Sequence, residues 1–516
     1  MRSRRLADGH DAAAGQRGGV HATGCLQSRI DARVPHVRVG QVPGHGGAGN
    51  AQAGLSGRRN DHLRGGAVIA LPIFVWWLAS SLLGLLALPL AWRVFTRLPD
   101  RGLGLARPLG ILISGFALWL GGSIGLWPNG LAGSLAGLVA LAAASVWAWR
   151  GCGPELRAWL RGHLGAIAAT EGLFLSAVVL WAVVRAFNPD IVATEKPMEL
   201  AFLNSVLRSP TLPPADPWLS GFAISYYYFG YILLGHLATL TATPGSMAFN
   251  LGVALWFGLA VTATYSLLVN LLSARDGKLR LAGGLLGPLF VVISGNLAGF
   301  LEVLHSLRLG WRTLADGTLT SRFWPWLDIL DLSDPPGGAI GFLPTRYLWW
   351  WRASRVVHDA SLTGAKIEVI DEFPFFSFLL ADNHPHLLAL PFVLLAVGFA
   401  LQVYLVGRRT PQPLPGPRSG VPAFRSAAWM AAVAALGGAA ASAGIQIAAQ
   451  ATAAEIVLGS LRGAVMLGAG SLLLIVFAYV VLGRLPALLS LPELGFAALA
   501  FGALAFLNTW DLPIYL

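Results

Sequence analysis

MAFNLGVALWFGLAVTATYSLLVNL, residues 247–271, carries no charged side chain in 25 positions. A run of that length crosses the hydrocarbon core of a bilayer, about 30 Å, as an α-helix, because every backbone N–H and C=O then finds its partner inside the segment. Comparable runs recur at 68–92, 108–126, 130–149, 166–187, 281–303, 387–406, 427–449, 464–483 and 488–507. A transmembrane β-barrel would instead show alternating segments of about ten residues. The sequence therefore predicts an all-α, polytopic integral membrane protein with about ten transmembrane helices, and interfacial helices in its longer loops.

Composition agrees. Of 516 residues 55% are hydrophobic and 12% charged, and the mean hydropathy is +0.64, which excludes a single soluble domain and a disordered chain. Cys25 and Cys152 lie too far apart, in contexts too different, for a disulfide framework or a Cys-based metal site. The net charge of +11 is concentrated at the start: residues 1–66 hold ten arginines against four aspartates. They lack aromatic residues and the apolar core of a secretory signal, so they read as a disordered basic extension, or as an upstream stretch outside the folded domain, and not as a nucleic-acid arm. The polytopic domain is expected over 67–516. Its end in an apolar run at Leu516 suggests that more chain follows.

Lys/Arg-rich short loops mark the cytoplasmic side. Arg93–Arg107, Arg150–Arg161, Arg275–Arg280 and Arg408–Arg425 are such loops. All fall on one side only if YYYFGYILLGHLATLTAT, residues 226–243, does not cross. That segment is then expected in the outer interface, with Tyr226, Tyr227, Tyr228 and Tyr231 at headgroup depth. Two long loops, about 188–246 and 304–386, consequently face outward, as expected of a multi-pass protein of the cell membrane.

In the first loop, Asn188-Pro189 ends a span. Thr194 is a candidate cap for a new helix, with Pro197 in its first turn and Met198, Phe202 and Val206 as its apolar stripe. Glu195 and Glu199 stand four apart near the positive end of that helix, and Asp216 follows in a proline-rich turn. Paired carboxylates can share a proton, so that one acts as a base, or hold a divalent metal; the same residues also suit an ordinary helix N-terminus. Asp216 joins them as a candidate catalytic acid.

The second loop carries Arg346, Arg352 and Arg355 on an aromatic run, a set suited to a lipid phosphate or to headgroup contact. Asp371, Glu372, Asp382, Asn383, His384 and His386 follow within strongly apolar sequence, where ionisable groups are costly and point to a site. His384-Pro385-His386 could bind a phosphate, ligate a metal or move protons. Asp371, Glu372 and Asp382 are candidate metal ligands. Asp382 or Asn383 could equally cap the next helix. Glu302, His305, Asn296 and Asn508–Asp511 are isolated polar groups that more often bind neighbouring helices. No phosphate-binding glycine loop, HExxH or GxSxG motif stands in a suitable context.

Several strings together resemble a known family: TEKPMELAFLNSVLRSPTLPPADPW (194–218), SYYYFGY (225–231), AFNL (248–251), SGNLAGFLEVL (294–304), DEFPFFSFLLADNHPHLLALP (371–391) and NTWDLPIY (508–515). They are similar, in order, to the YYY membrane-protein family (Chlor_Arch_YYY), polytopic proteins of uncharacterised function. In that family the position of Glu199 is commonly Asp. More distantly, residues 188–271 resemble the layout of GT-C glycosyltransferases. That resemblance implies sugar transfer from a polyprenyl-phosphate donor at the outer leaflet. Glu195 or Glu199 would be the base or metal ligand, and His384, His386, the arginines and Tyr226–Tyr228 would bind substrate. A lipid or ion transporter and a non-catalytic membrane scaffold are the alternatives.

Overall fold

A computed structural model describes residues 55–344, 349–361, 363–409 and 491–515. The chain divides into Met1–Leu63 and Arg64–Leu516. Of the first unit, only the opening turns of a helix are among the described residues. The expected spans 427–449 and 464–483, and Arg346, lie outside them.

Among the described residues, six helices are long and apolar enough to cross a membrane: α1 (Leu55–Val94, apolar from Ala70), α2 (Ala106–Ser123, with a preceding 3-10 turn), α3 (Leu131–Arg150), α5 (Leu164–Phe187), α8 (Gly245–Ser273) and α12 (Pro385–Arg409). Shorter helices are α4 (Gly153–Gly162), α6 (Lys196–Arg208), α7 (Phe229–Leu240), α11 (Pro374–Leu380), α13 (Leu491–Leu507) and α14 (Asp511–Tyr515). Among the described residues the strands form two short hairpins in the second long loop, β1 (Arg312–Thr313) with β2 (Leu319–Thr320), and β3 (His358–Ala360) with β4 (Lys366–Glu368).

The helix quoted at the outset, α8, is the axis of the bundle. Nearly all of its span is buried, which explains an apolar sequence with no polar face. Alpha-5 packs along it: Trp181 stacks on Phe257 with ring centroids 4.0 Å apart. Gly258 allows the approach, since a Cβ there would stand 2.5 Å from Val178 Cγ2. Outward-facing Leu71, Phe74, Leu180 and Val183 are exposed, as expected of helix faces turned to lipid. The loop after α1 is pinned to α8 by Asp100. Its Oδ1 accepts from Asn270 Nδ2 and from the Gly102 N–H, each at 2.8 Å, and its Oδ2 accepts from Ser266 Oγ at 2.5 Å.

Two expectations are corrected. The run 281–303 is not one straight span. Helices α9 (Leu281–Ile293) and α10 (Ala298–Ser306) meet at 80°. Gly295 takes φ 57° at the break, and Asn296 Oδ1 accepts from the Ala298 N–H at 3.1 Å, starting the second helix. The tyrosine segment is not a surface helix either. Twelve residues make α7 about 18 Å long, too short to cross. Phe229 to Ala238 are buried, Tyr231 completely. The helix is enclosed by its neighbours instead of lying exposed on a surface, while Tyr226, Tyr227 and Tyr228 before it are half-buried.

Candidate functional site

The ends of α5, α6, α8 and α12 meet at one face of the bundle, and the two long loops join there. Alpha-5 stops at Phe187 before Asn188-Pro189. The chain turns through Ala193 and Thr194, both at positive φ, a cost that surrounding contacts must hold in place. Alpha-6 then starts with Glu195 as its N-cap and Pro197 in its first turn. Thr194 does not cap it. Its hydroxyl instead lies 2.9 Å from Asp382 Oδ1. Phe202 and Val206 are buried as the stripe requires, and Glu199 is fully buried on the same face. From the other loop, α11 ends at Leu380, Ala381 takes φ 64°, and Asp382-Asn383-His384 lead into α12.

Across 184 residues of sequence, Glu199 Oε2 accepts from the Asn383 N–H at 2.7 Å. Asn383 Nδ2 donates to Phe249 O at 3.0 Å, fixing the turn to the start of α8. Lys196 Nζ stands 3.8 Å from Asp382 Oδ1. Burial pushes the Glu199 carboxyl up to about 9, and Asp382 and Glu195 add to it. Glu199 is therefore protonated at neutral pH and able to donate. Burial also pushes Asp382 up to about 6, against the hydrogen bond of Thr194 and the charge of Lys196. Among the described residues Glu199 Oε1, Tyr231 Oη and Asn383 Oδ1 are buried with no hydrogen-bond partner, which suits a polar ligand group beside them. Tyr226 stacks on Phe202, centroids 5.5 Å apart. Burial, with Glu195 and Glu199 nearby, raises its hydroxyl to about 12.

A second chain of contacts runs beside this one. Glu195 Oε2 is 3.0 Å from His384 Nε2. His384 Nδ1 is 2.8 Å from His386 Nδ1. His386 Nε2 is 2.9 Å from Glu372 Oε2 and 3.0 Å from Ser377 Oγ. Between two Nδ1 atoms, one must donate and the other accept, so at most one of the two rings is cationic in this arrangement. Burial and the neighbouring His386 hold His384 below the usual imidazole value, against the pull of Glu195 and Glu372. Burial would raise Glu372, but the hydrogen bond and charge of His386 outweigh it and leave it low. Glu195 is half exposed and forms the open end of the chain. At the other end Glu372, Ser377, His386 and Asp511 line a cavity of about 160 Å³.

Not every candidate joins. Asp216 Oδ1 accepts from the Trp218 and Leu219 N–H groups, each at 2.8 Å, and so shapes its own turn. Arg352 pairs with Asp331. Arg355 pairs with Glu368 at 3.0 Å and stacks on Trp351. Tyr227 packs on Tyr226, and Tyr228 Oη accepts from Trp119 Nε1 at 3.4 Å. Glu372 engages His386 and Ser377, and Asp382 engages Thr194 and Lys196, and among the described residues no group of three or more His, Cys, Asp or Glu is arranged to hold a metal ion. Lys196, Ser377 and Asp511 belong to the assembly although the sequence reading did not single them out as site residues. All three stand inside strings shared with the resembled family, and Asp511 was expected only as a polar group binding a neighbouring helix.

Fold and site together define a polytopic helical membrane protein with a buried acidic and imidazole cluster at one face. The chain belongs to a family of uncharacterized membrane proteins, DUF2298, whose pattern it matches over residues 113–516. Membership carries the membrane class and no activity, and lends nothing to the YYY name or to the glycosyltransferase resemblance. No curated protein and no solved structure matches the chain.

Proposed function

We propose that the protein transfers a sugar from a polyprenyl-phosphate donor to an acceptor hydroxyl at the outer leaflet of the cell membrane. The observation that supports this reading most is the meeting of Glu195, Lys196 and Glu199 with Asp382, His384 and His386 at the ends of α6 and α12. Glu195 takes the proton of the acceptor hydroxyl. The freed oxygen bonds to the anomeric carbon as the bond from that carbon to the phosphate oxygen breaks, and the phosphate leaves with the electron pair. His384, 3.0 Å behind Glu195, can pass the proton on to His386. Lys196 supplies positive charge near the leaving group. Tyr226 offers an aromatic face to the sugar.

The test is transfer by the purified, reconstituted protein from polyprenyl-phosphate sugars to a panel of hydroxyl acceptors. Transfer that is lost in a Glu195→Gln/Glu199→Gln double variant is the expected result. A wild type inactive across the panel, or a fully active double variant, would refute it. The Glu195–His384–His386–Glu372 chain favours a second reading, proton-coupled transport. Proton flux in proteoliposomes that depends on His384, without any transfer, would reverse the order.

A further inference from the structure

A cavity of about 520 Å³ lies between α1, α5 and α8, at the end of α5 and the start of α8. Ile73, Ala182, Met247 and Leu251 make its wall apolar. It opens beside the lipid-facing side chains of these helices, among them Phe74 and Val183. Two charged groups line it, Arg185 and Asp190. Arg185 is 6% exposed. Its Nε and Nη2 both donate to Asn250 Oδ1, at 3.0 and 2.7 Å. Among the described residues it makes no ion pair, although Asp190 and, from the neighbouring site, Asp382 act on it at longer range. A guanidinium so far desolvated, held by a neutral amide and facing an apolar cavity, is matched to an oxyanion. Asp190, exposed at the rim, would repel a headgroup that carries only negative charge.

We propose that this cavity binds a membrane phospholipid whose headgroup carries an ammonium beside its phosphate. One acyl chain lies along Ile73, Met247 and Leu251, the phosphate meets Arg185, and the ammonium meets Asp190. A neutral pair of charges in the protein then faces a neutral pair in the lipid. The site stands whether or not the neighbouring cluster transfers sugar.

The experiment is native mass spectrometry of the purified protein in detergent, titrated separately with phosphatidylethanolamine and phosphatidylglycerol, with folding of each variant checked by circular dichroism. Wild type is expected to retain phosphatidylethanolamine in preference. Arg185→Gln should weaken both lipids by roughly tenfold, the loss of one charge-assisted hydrogen bond. Asp190→Asn should abolish the preference while keeping retention. Met247→Trp, which fills the cavity without touching either charge, should weaken both and keeps the test open if Arg185→Gln does not fold. Equal retention of the two lipids by wild type, or retention unchanged by Met247→Trp, would overturn the proposal.

Discussion

Replacing Glu199 by Gln tests the interior of the site through stability alone. Glu199 Oε2 receives the Asn383 N–H, and Gln keeps that acceptor while removing the ionisable proton. The carboxyl is raised from 4.5 to about 9 by burial, with Asp382 and Glu195 adding to the shift. Below the unfolded value both states are protonated and the group costs nothing. As pH climbs, the unfolded chain releases its proton while the folded one holds it, so stability falls until the folded value is passed. From pH 5 to pH 8 this is about three pH units at about 1.4 kcal/mol each, or about 4 kcal/mol lost by wild type and not by the variant. Asp382, raised to about 6, contributes to both proteins alike and drops out of the difference. Chemical denaturation in mild detergent at pH 5, 6, 7 and 8 measures it. The two proteins should approach one another in stability at pH 5 and diverge steadily above it, with Glu199→Gln the more stable at pH 8. Parallel profiles would show that Glu199 is not a buried neutral acid.

Asp100→Ala leaves Ser266, Asn270 and the Gly102 N–H without their acceptor, and should cost about 2–4 kcal/mol, read as a lowered unfolding temperature. Gly258→Val drives a side chain against Val178 and should cost roughly 1–3 kcal/mol in the same assay. On the proposed function, Glu195→Gln and His384→Gln should each lower sugar transfer by roughly a hundredfold, the scale of general-base catalysis, and Asp216→Asn should leave the transfer rate near wild type.

Six of the expected spans were legible because lipid demands long uncharged helices, and the run 247–271 could hardly be anything else. The bend at Gly295 was not, because hydropathy is blind to a left-handed glycine and to an asparagine that starts a new helix. The enclosure of Tyr231 was hidden for a related reason: tyrosine suits a headgroup layer and a packed interior alike. Within the site, Glu199 was readable in principle, since it falls on the stripe that buries Phe202 and Val206. Lys196 and Ser377 were not, because what defines them is a partner supplied by the fold. Asp216 shows the converse, a carboxylate whose proline-rich setting already suited a turn.

The central claim is that the two long loops close on each other at Glu195 and His384. Cysteines at these positions, in a Cys25→Ser/Cys152→Ser background, can be treated in native membranes with a short bifunctional thiol reagent and the cross-link read by mass spectrometry. An intramolecular link between positions 195 and 384, absent from a control pair at 216 and 384, is the expected result. No link at 195 and 384, or an equal one in the control, would contradict it.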